Sequence, residues 1–362
     1  MNRDGKIVLL AVFILTMIGI VMIYSSSAVY AHKTYADSMY FTKRHLEYLA
    51  AGLLCAVFCM AISVERVKDN AKWIMLFTLL LLTAVLIPGI GTEASGARRW
   101  IRFFGHGFQP SEVAKLALII YLADFTSRKK YIMRSFRHGF LPALAVIGFT
   151  GAIILMEPDM GTFVSVLSIG LVMLFSSGVR LRHLFFTGLA ALPVLAAAVA
   201  LEPYRVMRVL TVFNPWKDAK GAGFQLIQSF IALGSGGFFG VGLGASQQKL
   251  FYLPESHTDF IFSIIGEELG FLGTGSVLAL FAVLICFCFK IAFKLRDKFS
   301  SSVVFGVGSM IAFEVVVNVG VSTGVLPTKG LPLPFISYGG SSLVCHLAAI
   351  GLVLNMSRRT EQ

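Results

Sequence analysis

Residues 7–23 read Ile-Val-Leu-Leu-Ala-Val-Phe-Ile-Leu-Thr-Met-Ile-Gly-Ile-Val-Met-Ile, without a single charge. Membrane-spanning β-strands alternate apolar and polar side chains, and this run does not. It therefore reads as a helix that crosses a bilayer core about 30 Å thick. Arg3 and Lys6 before it and Ser25-Ser26-Ser27-Ala28 after it resemble the flanks of a secretory signal. The apolar stretch is longer than the roughly 7–15 residues of a signal core, so it is kept as the first span. Further apolar runs fall at about 46–64, 73–90, 110–126, 139–156, 160–177, 184–201, 258–289, 301–323 and 340–356, which makes ten spans. The eighth is over-long, and Gly266, Gly270, Gly273 and Gly275 predict a tilt or bend in its middle.

Composition agrees. Of 362 residues, 56% are hydrophobic and only 14% charged, with a mean hydropathy of +0.80, which excludes a water-soluble surface. With no internal repeat, low-complexity segment or linker, residues 1–362 form one domain. The expected fold is an all-α polytopic integral membrane protein of about ten transmembrane helices, with a large outer loop at about 202–257 between helices seven and eight.

The net charge of +12 and pI near 9.6 raise the question of nucleic acid. The basic residues are scattered between apolar runs, without a basic stripe or interleaved aromatics, so nucleic acid is not expected as a partner. They read instead as topology signals and as contacts to anionic lipid or phosphate. Placing the N-terminus inside puts eighteen Lys and Arg in inner segments, twelve in outer ones and Lys115 within the fourth span. That bias places both termini in the cytoplasm. Outer cations such as Arg98, Arg99, Arg205 and Arg208 run against it, and an anionic ligand would explain them. Cys55, Cys59, Cys286, Cys288 and Cys345 all lie in apolar runs, where a thiol acts as a small hydrophobe. Neither a disulfide framework nor a metal site is expected from them.

On this topology the polar outliers gather at one face. Glu112 opens the fourth span after Gln109-Pro110-Ser111, Glu157-Pro158-Asp159 turns between spans five and six, and Asp259 opens span eight. Lys329 and the run Pro334 to Ser342 precede span ten. Each has a plainer role available: an acidic helix cap for Glu112 and Asp259, a hairpin turn for Glu157 and Asp159, a stiff loop for 327–334. Taken together they argue for a site, because carboxylates at an apolar boundary are expensive and usually functional. Lys115 and Glu314 lie deep in spans four and nine, where they can pair as a structural bridge.

Several motifs carry a resemblance. They are Gly-Ala-Arg-Arg-Trp-Ile at 96–101 with Gln-Pro-Ser-Glu at 109–112, Glu-Pro-Asp-Met-Gly-Thr at 157–162, Pro-Tyr-Arg-Val-Met-Arg at 203–208 and Asn-Pro-Trp at 214–216. Gly-Phe-Gln-Leu-Ile-Gln-Ser at 223–229, Phe-Tyr-Leu-Pro-Glu-Ser-His-Thr-Asp-Phe-Ile-Phe at 251–262 and Leu-Pro-Phe-Ile-Ser-Tyr-Gly-Gly-Ser-Ser at 333–342 complete the set. Together they resemble, over essentially the whole chain, the SEDS family of bacterial cell-wall polymerases (shape, elongation, division and sporulation), and within it the division and sporulation branch.

The resemblance implies a multi-pass protein of the bacterial cytoplasmic membrane that joins lipid II, the undecaprenyl-diphosphate-linked disaccharide pentapeptide, into glycan at the outer face. The family's aspartate in His-Thr-Asp-Phe falls on Asp259, the expected catalytic residue. Expected substrate-binding residues are Arg98, Arg99, Trp100, Gln109, Ser111, Glu112, Glu157, Asp159, Arg205, Arg208, Lys249, Glu255, His257, Lys329 and Ser337. Many relatives read Gln-Pro-Asp where this chain has Glu-Pro-Asp, a departure that touches the expected role of Glu157 alone.

The chemistry of the residues agrees with this reading. Displacing a sugar from a diphosphate releases a stable anion, so the reaction needs one carboxylate base for the acceptor hydroxyl and cations for the diphosphate. No protein metal site is expected, while a divalent cation, Mg2+ or Mn2+, stays open as cofactor. The resemblance also implies as partners a class B penicillin-binding protein and other divisome or elongasome proteins; the small residues Gly266, Gly270, Gly273, Gly275, Gly306, Gly308 and Ser309 would either let the transpeptidase's membrane helix approach closely or pack spans of this chain together. A lipid II flippase and a non-catalytic divisome scaffold are the alternatives. A transporter would carry its polar groups at the midplane of repeated halves, whereas here they gather at one face.

Overall fold

The computed structural model describes residues 2–94, 97–103, 105–129, 132–250, 252–328 and 330–361. Gly96, Phe251 and Lys329, all named above, lie outside them. The chain is a multi-pass membrane protein built of helices. In order they are α1 (Arg3–Tyr35), α2 (Tyr40–Ala61), α3 (Val64–Asp69), α4 (Ala71–Leu86), α5 (Pro110–Arg128), α6 (Leu141–Met156), α7 (Met160–Ser176), α8 (Leu181–Ala200), α9 (Pro203–Phe213), α10 (Phe224–Ser235), α11 (Ile261–Lys294), α12 (Lys298–Ser322) and α13 (Gly340–Ser357). A small antiparallel sheet, β1 (Gly91–Ala94), β2 (Ala97–Phe103) and β3 (His106–Phe108), lies between α4 and α5.

The ten runs read from sequence become α1, α2, α4 to α8 and α11 to α13. Among the described residues, seven helices are long and apolar enough to cross a membrane. The other three have identifiable reasons for falling short. α4 and α7 hold 16 and 17 residues, fewer than the about 20 a perpendicular span needs. α5 carries Glu112, Lys115, Asp124 and Arg128, and packs against α4, α7 and α12 in the middle of the bundle. Glu112, Lys115 and Asp124 are buried there, turned away from lipid as the cost of an intramembrane charge requires.

Both chain ends lie at one end of the bundle. Asn2 Nδ2 donates to Ser357 O at 2.9 Å, Arg359 pairs with Glu65 at 2.6 Å, and Lys290 and Lys294 hold Asp4 at 2.9 and 2.6 Å. The start of α5, the turn 157–159 and the segments before α11 and α13 sit together at the other end. The sheet joins them there, since Tyr48 Oη donates to Gly107 O at 3.1 Å and Gln109 N to Ser341 Oγ at 2.9 Å.

The expected bend in the eighth span is present. Gly270 has φ 67° inside α11, a conformation that favours glycine. The interrupted ladder is replaced by the chain at 237–242: Phe271 N donates to Gly237 O at 2.9 Å, and Val241 N to Glu267 O at 2.9 Å.

Two expectations need correcting. The segment 202–257 is not a plain loop, because it folds α9, a 3-10 turn at Pro215–Asp218 and α10. In α9 the apolar residues Tyr204, Met207, Leu210 and Phe213 recur every third position and are exposed, the pattern of a helix lying in the membrane interface. The small-residue face is also largely internal. A Cβ on Gly306 would lie 2.7 Å from Ile119 and 3.0 Å from Met173, and one on Gly308 would lie 3.1 Å from Cys288. These glycines let α12 approach α5, α7 and α11 of the same chain, not a partner helix. Gly275 alone among the named glycines of α11 and α12 has open space before it.

Candidate functional site

The site grows from the turn between α6 and α7. Asp159 caps α7: its Oδ1 accepts from Thr162 N at 3.1 Å and its Oδ2 from Thr162 Oγ1 at 2.9 Å. The side chain still has capacity, and Gln109 Nε2 donates to Oδ2 at 3.0 Å while Arg99 Nη1 stands 3.8 Å away. One carboxylate thus links α5, α7 and the sheet.

Arg99 reaches this point through an irregularity in β2. Thr92 pairs with Trp100 and Glu93 with Arg98, so the register shift leaves Arg99 without an opposite residue on β1. Such bulges re-aim a side chain, and here the guanidinium turns to the acidic turn while Arg98 stays in the ladder. Trp100 covers Gly107, where a Cβ would lie 3.1 Å from the indole ring.

Glu157, two residues before Asp159, is fully buried with both carboxylate oxygens lacking hydrogen-bond partners. Burial pushes its carboxyl up to about 8, Asp159 adds to the rise, and Arg99 opposes it. It is neutral at ordinary pH.

Asp259 stands two residues before the helical start of α11 and is partly accessible. Its backbone is pinned from two sides. Asn318 Nδ2, from α12, donates to Asp259 O at 3.0 Å and to Leu331 O at 2.9 Å. Ser337 Oγ donates to Thr258 O at 2.6 Å, and Tyr338 N to His257 O at 2.9 Å. Loss of solvation pushes the Asp259 carboxyl up to about 7; the negative charges of Glu255 and Asp159 reinforce this, and the guanidiniums of Arg99 and Arg208 oppose it. Those charges act on one another across a single site. A side chain at Gly330 would lie 3.0 Å from Asp259 Oδ2, so glycine there keeps the carboxylate clear.

Around Asp259, Glu255 is exposed, takes φ 56° and accepts Thr258 Oγ1 on its Oε2 at 2.8 Å. A left-handed glutamate is strained, and such strain gathers at functional segments. His257 lies among aromatic rings, with Phe41 at 4.6 Å and Tyr338 at 5.9 Å between centroids. Burial pushes its imidazole below the usual range, and the Glu255 carboxylate opposes the fall. Arg208 Nη1 donates to Thr328 O at 3.1 Å, while Arg205 Nη1 turns back to Ala198 O at 2.7 Å.

Of the expected site residues, Glu112, Ser111 and Lys249 are buried away from it. Glu112 turns inward to Lys115 at 2.9 Å, and Lys115 reaches Glu314 at 2.5 Å, with His346 Nε2 2.6 Å from the far oxygen of Glu314. The expected bridge of Lys115 and Glu314 is thus part of a buried four-residue chain, beside the buried Ser111. Lys249 is also buried, paired with Glu268 at 2.8 Å and with Ser25 Oγ at 3.1 Å. The reading of sequence missed Asn318 and Gly330. Asn318 was detectable as an amide inside an apolar run. Among the described residues no group of three or more His, Cys, Asp or Glu is placed to hold a metal ion.

Known proteins share this architecture. The profile of the FtsW, RodA and SpoVE family, described as "Cell cycle protein", matches residues 6–362. "Probable peptidoglycan glycosyltransferase FtsW" of Geobacter sp. (strain M18) is 43% identical over 98% of this chain and 96% of its own. "Stage V sporulation protein E" of Bacillus subtilis (strain 168) is 45% identical over 99% and 97%. Among solved structures, a chain of the work "Structural coordination of polymerization and crosslinking by a peptidoglycan synthase complex" superposes with a TM-score of 0.79 at 34% identity, covering 98% of each chain. The rod shape determining protein RodA of Thermus thermophilus gives a TM-score of 0.72 at 30% identity, covering 98% of this chain and 97% of that one.

Proposed function

The chain belongs to the FtsW, RodA and SpoVE family of cell cycle proteins, and from that membership we infer how its site works. It is a peptidoglycan glycosyltransferase. Its proposed substrate is lipid II, polymerised at the outer face of the bacterial cytoplasmic membrane, with both termini in the cytoplasm.

One observation carries the chemical assignment. Asp259 is a partly accessible carboxylate whose affinity for a proton lies at about 7, and it shares its surroundings with Arg99 and Arg208. A general base works best with its pKa near the working pH. In the proposed step the acceptor sugar's hydroxyl oxygen attacks C1 of the donor sugar and forms the glycosidic C–O bond. The bond from C1 to the phosphate oxygen breaks, and its electrons leave with the undecaprenyl diphosphate. The hydroxyl proton passes to Asp259. Arg99 and Arg208 meet the diphosphate, with Arg98 and Trp100 beside it on β2. Forked guanidiniums suit phosphate better than ammonium groups.

Gln109 and Asp159 act as positioning residues for Arg99, and Asn318 and Ser337 for the backbone of Asp259. The inward-turned Glu112, Ser111 and Lys249 stabilise the helices below the site. Mg2+ or Mn2+, where used, is proposed to come with the diphosphate, as Mg2+ commonly does. The proposed partner is a class B penicillin-binding protein among the divisome or elongasome proteins. Its membrane helix has the open surface of α11 at Gly275, beside the exposed Phe271 and Leu278, as a place to pack.

The test is purified protein with lipid II and the transpeptidase partner. Polymerisation gives glycan strands with release of undecaprenyl diphosphate. Lipid II that crosses vesicle membranes unpolymerised would instead favour transport.

A further inference from the structure

At the end of the bundle opposite Asp259, a cleft of about 500 Å3 opens between the start of α1 and the end of α11, lined by Asn2, Arg3, Asp4, Ile7, Phe287, Lys290 and Lys294. We propose that it binds the phosphate headgroup of an anionic membrane lipid. Three cations face a single carboxylate here, so the cleft keeps net positive charge after Asp4 has taken Lys290 and Lys294 at 2.9 and 2.6 Å. Asp4 is buried beneath them, whereas the two lysine side chains stay half exposed, at 50% and 51%. Asp4 therefore serves to hold both ammonium groups side by side. Arg3 is exposed on the opposite wall.

The level of the cleft identifies the source of the phosphate. Ile7 and Phe287 line its apolar side, and Lys290 Nζ lies 4.8 Å from the centre of the Phe287 ring. The broad apolar surface that faces lipid begins directly above, with Leu9, Leu10 and Phe13 exposed on α1 and Val283 exposed on α11. Four residues separate Arg3 from Ile7, about 6 Å along a helix. A ligand with its phosphate at Arg3, Lys290 and Lys294 and its chains beside Ile7 and Phe287 follows the polarity of the cleft from rim to floor. Basic pockets between spanning helices suit anionic headgroups in this way. The binding is independent of the reaction assigned to Asp259.

Native mass spectrometry of the full-length protein with phosphatidylglycerol, phosphatidylcholine and free glycerol 3-phosphate tests it. The expected result is roughly tenfold preference for phosphatidylglycerol over phosphatidylcholine, from the uncompensated cations, with no retention of glycerol 3-phosphate. Arg3→Gln, an exposed change that leaves the Asp4 pairs intact, should weaken the preference. Arg3→Gln with Lys290→Gln and Lys294→Gln on an Asp4→Asn background should abolish it, while the gel-filtration profile and lipid II polymerisation in neutral detergent persist. Unchanged preference in both variants overturns the proposal. Glycerol 3-phosphate held as firmly as the lipid would also overturn it, by making the cleft a site for soluble phosphates.

Discussion

Replacing Glu157 with Gln separates the electrostatics of the site from its packing, because the two side chains have nearly the same shape. In the folded protein the Glu157 carboxyl rises from 4.5 to about 8. A raised carboxyl binds its proton more tightly when folded than when unfolded, so it costs nothing below pH 4.5. The penalty grows as pH climbs, and is complete above the folded value. At about 1.4 kcal/mol per pH unit it amounts to roughly 3 kcal/mol at pH 7 and on the order of 4–5 kcal/mol above pH 8. Gln removes that term but buries an amide where no partner waits for the carboxyl oxygens, which returns about 1–3 kcal/mol at every pH. The variant is therefore expected to be no more stable than wild type at pH 5 and more stable by about 1–4 kcal/mol at pH 9. Thermal unfolding in detergent across pH 5 to 9 reads the difference. Parallel melting curves for the two proteins would refute the burial of an unpaired Glu157.

Other consequences follow from the same geometry. Arg99→Ala and Arg208→Ala should each raise KM for lipid II about tenfold or more, with Lys restoring little at either position; steady-state kinetics at constant protein level decides, and unchanged KM in both removes the diphosphate assignment. The rate of polymerisation by wild type should rise with pH and level off above about 7, since Asp259 must be deprotonated to act as a base; a flat profile from pH 5.5 to 8.5 speaks against it. Gly306→Leu should lower the stability of the isolated protein by about 1–3 kcal/mol or more, through overpacking against Ile119 and Met173; unchanged melting would return this face to a partner. A cysteine at Lys217 should react with an impermeant reagent in protoplasts and one at Arg134 should not.

Much of this was legible in the chain. Ten apolar runs gave ten helices because a spanning helix must be predominantly apolar over about 20 residues, which leaves a strong signal. The bend at Gly270 and the pair of Lys115 with Glu314 were legible for a related reason: glycines and charges stand out in apolar sequence. The shorter elements were not. α9 has 11 residues and α10 has 12, too short for an apolar window, and in α9 the arginines dilute the apolar stripe. The strand that carries Arg99 is equally quiet, and the bulge that re-aims it depends on pairing with Thr92 and Glu93, which no local pattern encodes. Glu112 and Lys249 read as outer residues because position along the chain says where a helix starts but not which way its side chain turns. Both turn inward because a buried partner of opposite charge, Lys115 or Glu268, is available there.

Asp259→Asn in a lipid II polymerisation assay, beside wild type and with the transpeptidase partner present, tests the central claim most directly. The amide keeps the shape and leaves the backbone contacts to Asn318 and the 330–338 segment in place, so gel filtration and melting temperature should match wild type. The account predicts no glycan strands from this variant. Strands formed at a rate close to wild type would contradict it and remove Asp259 from the chemistry.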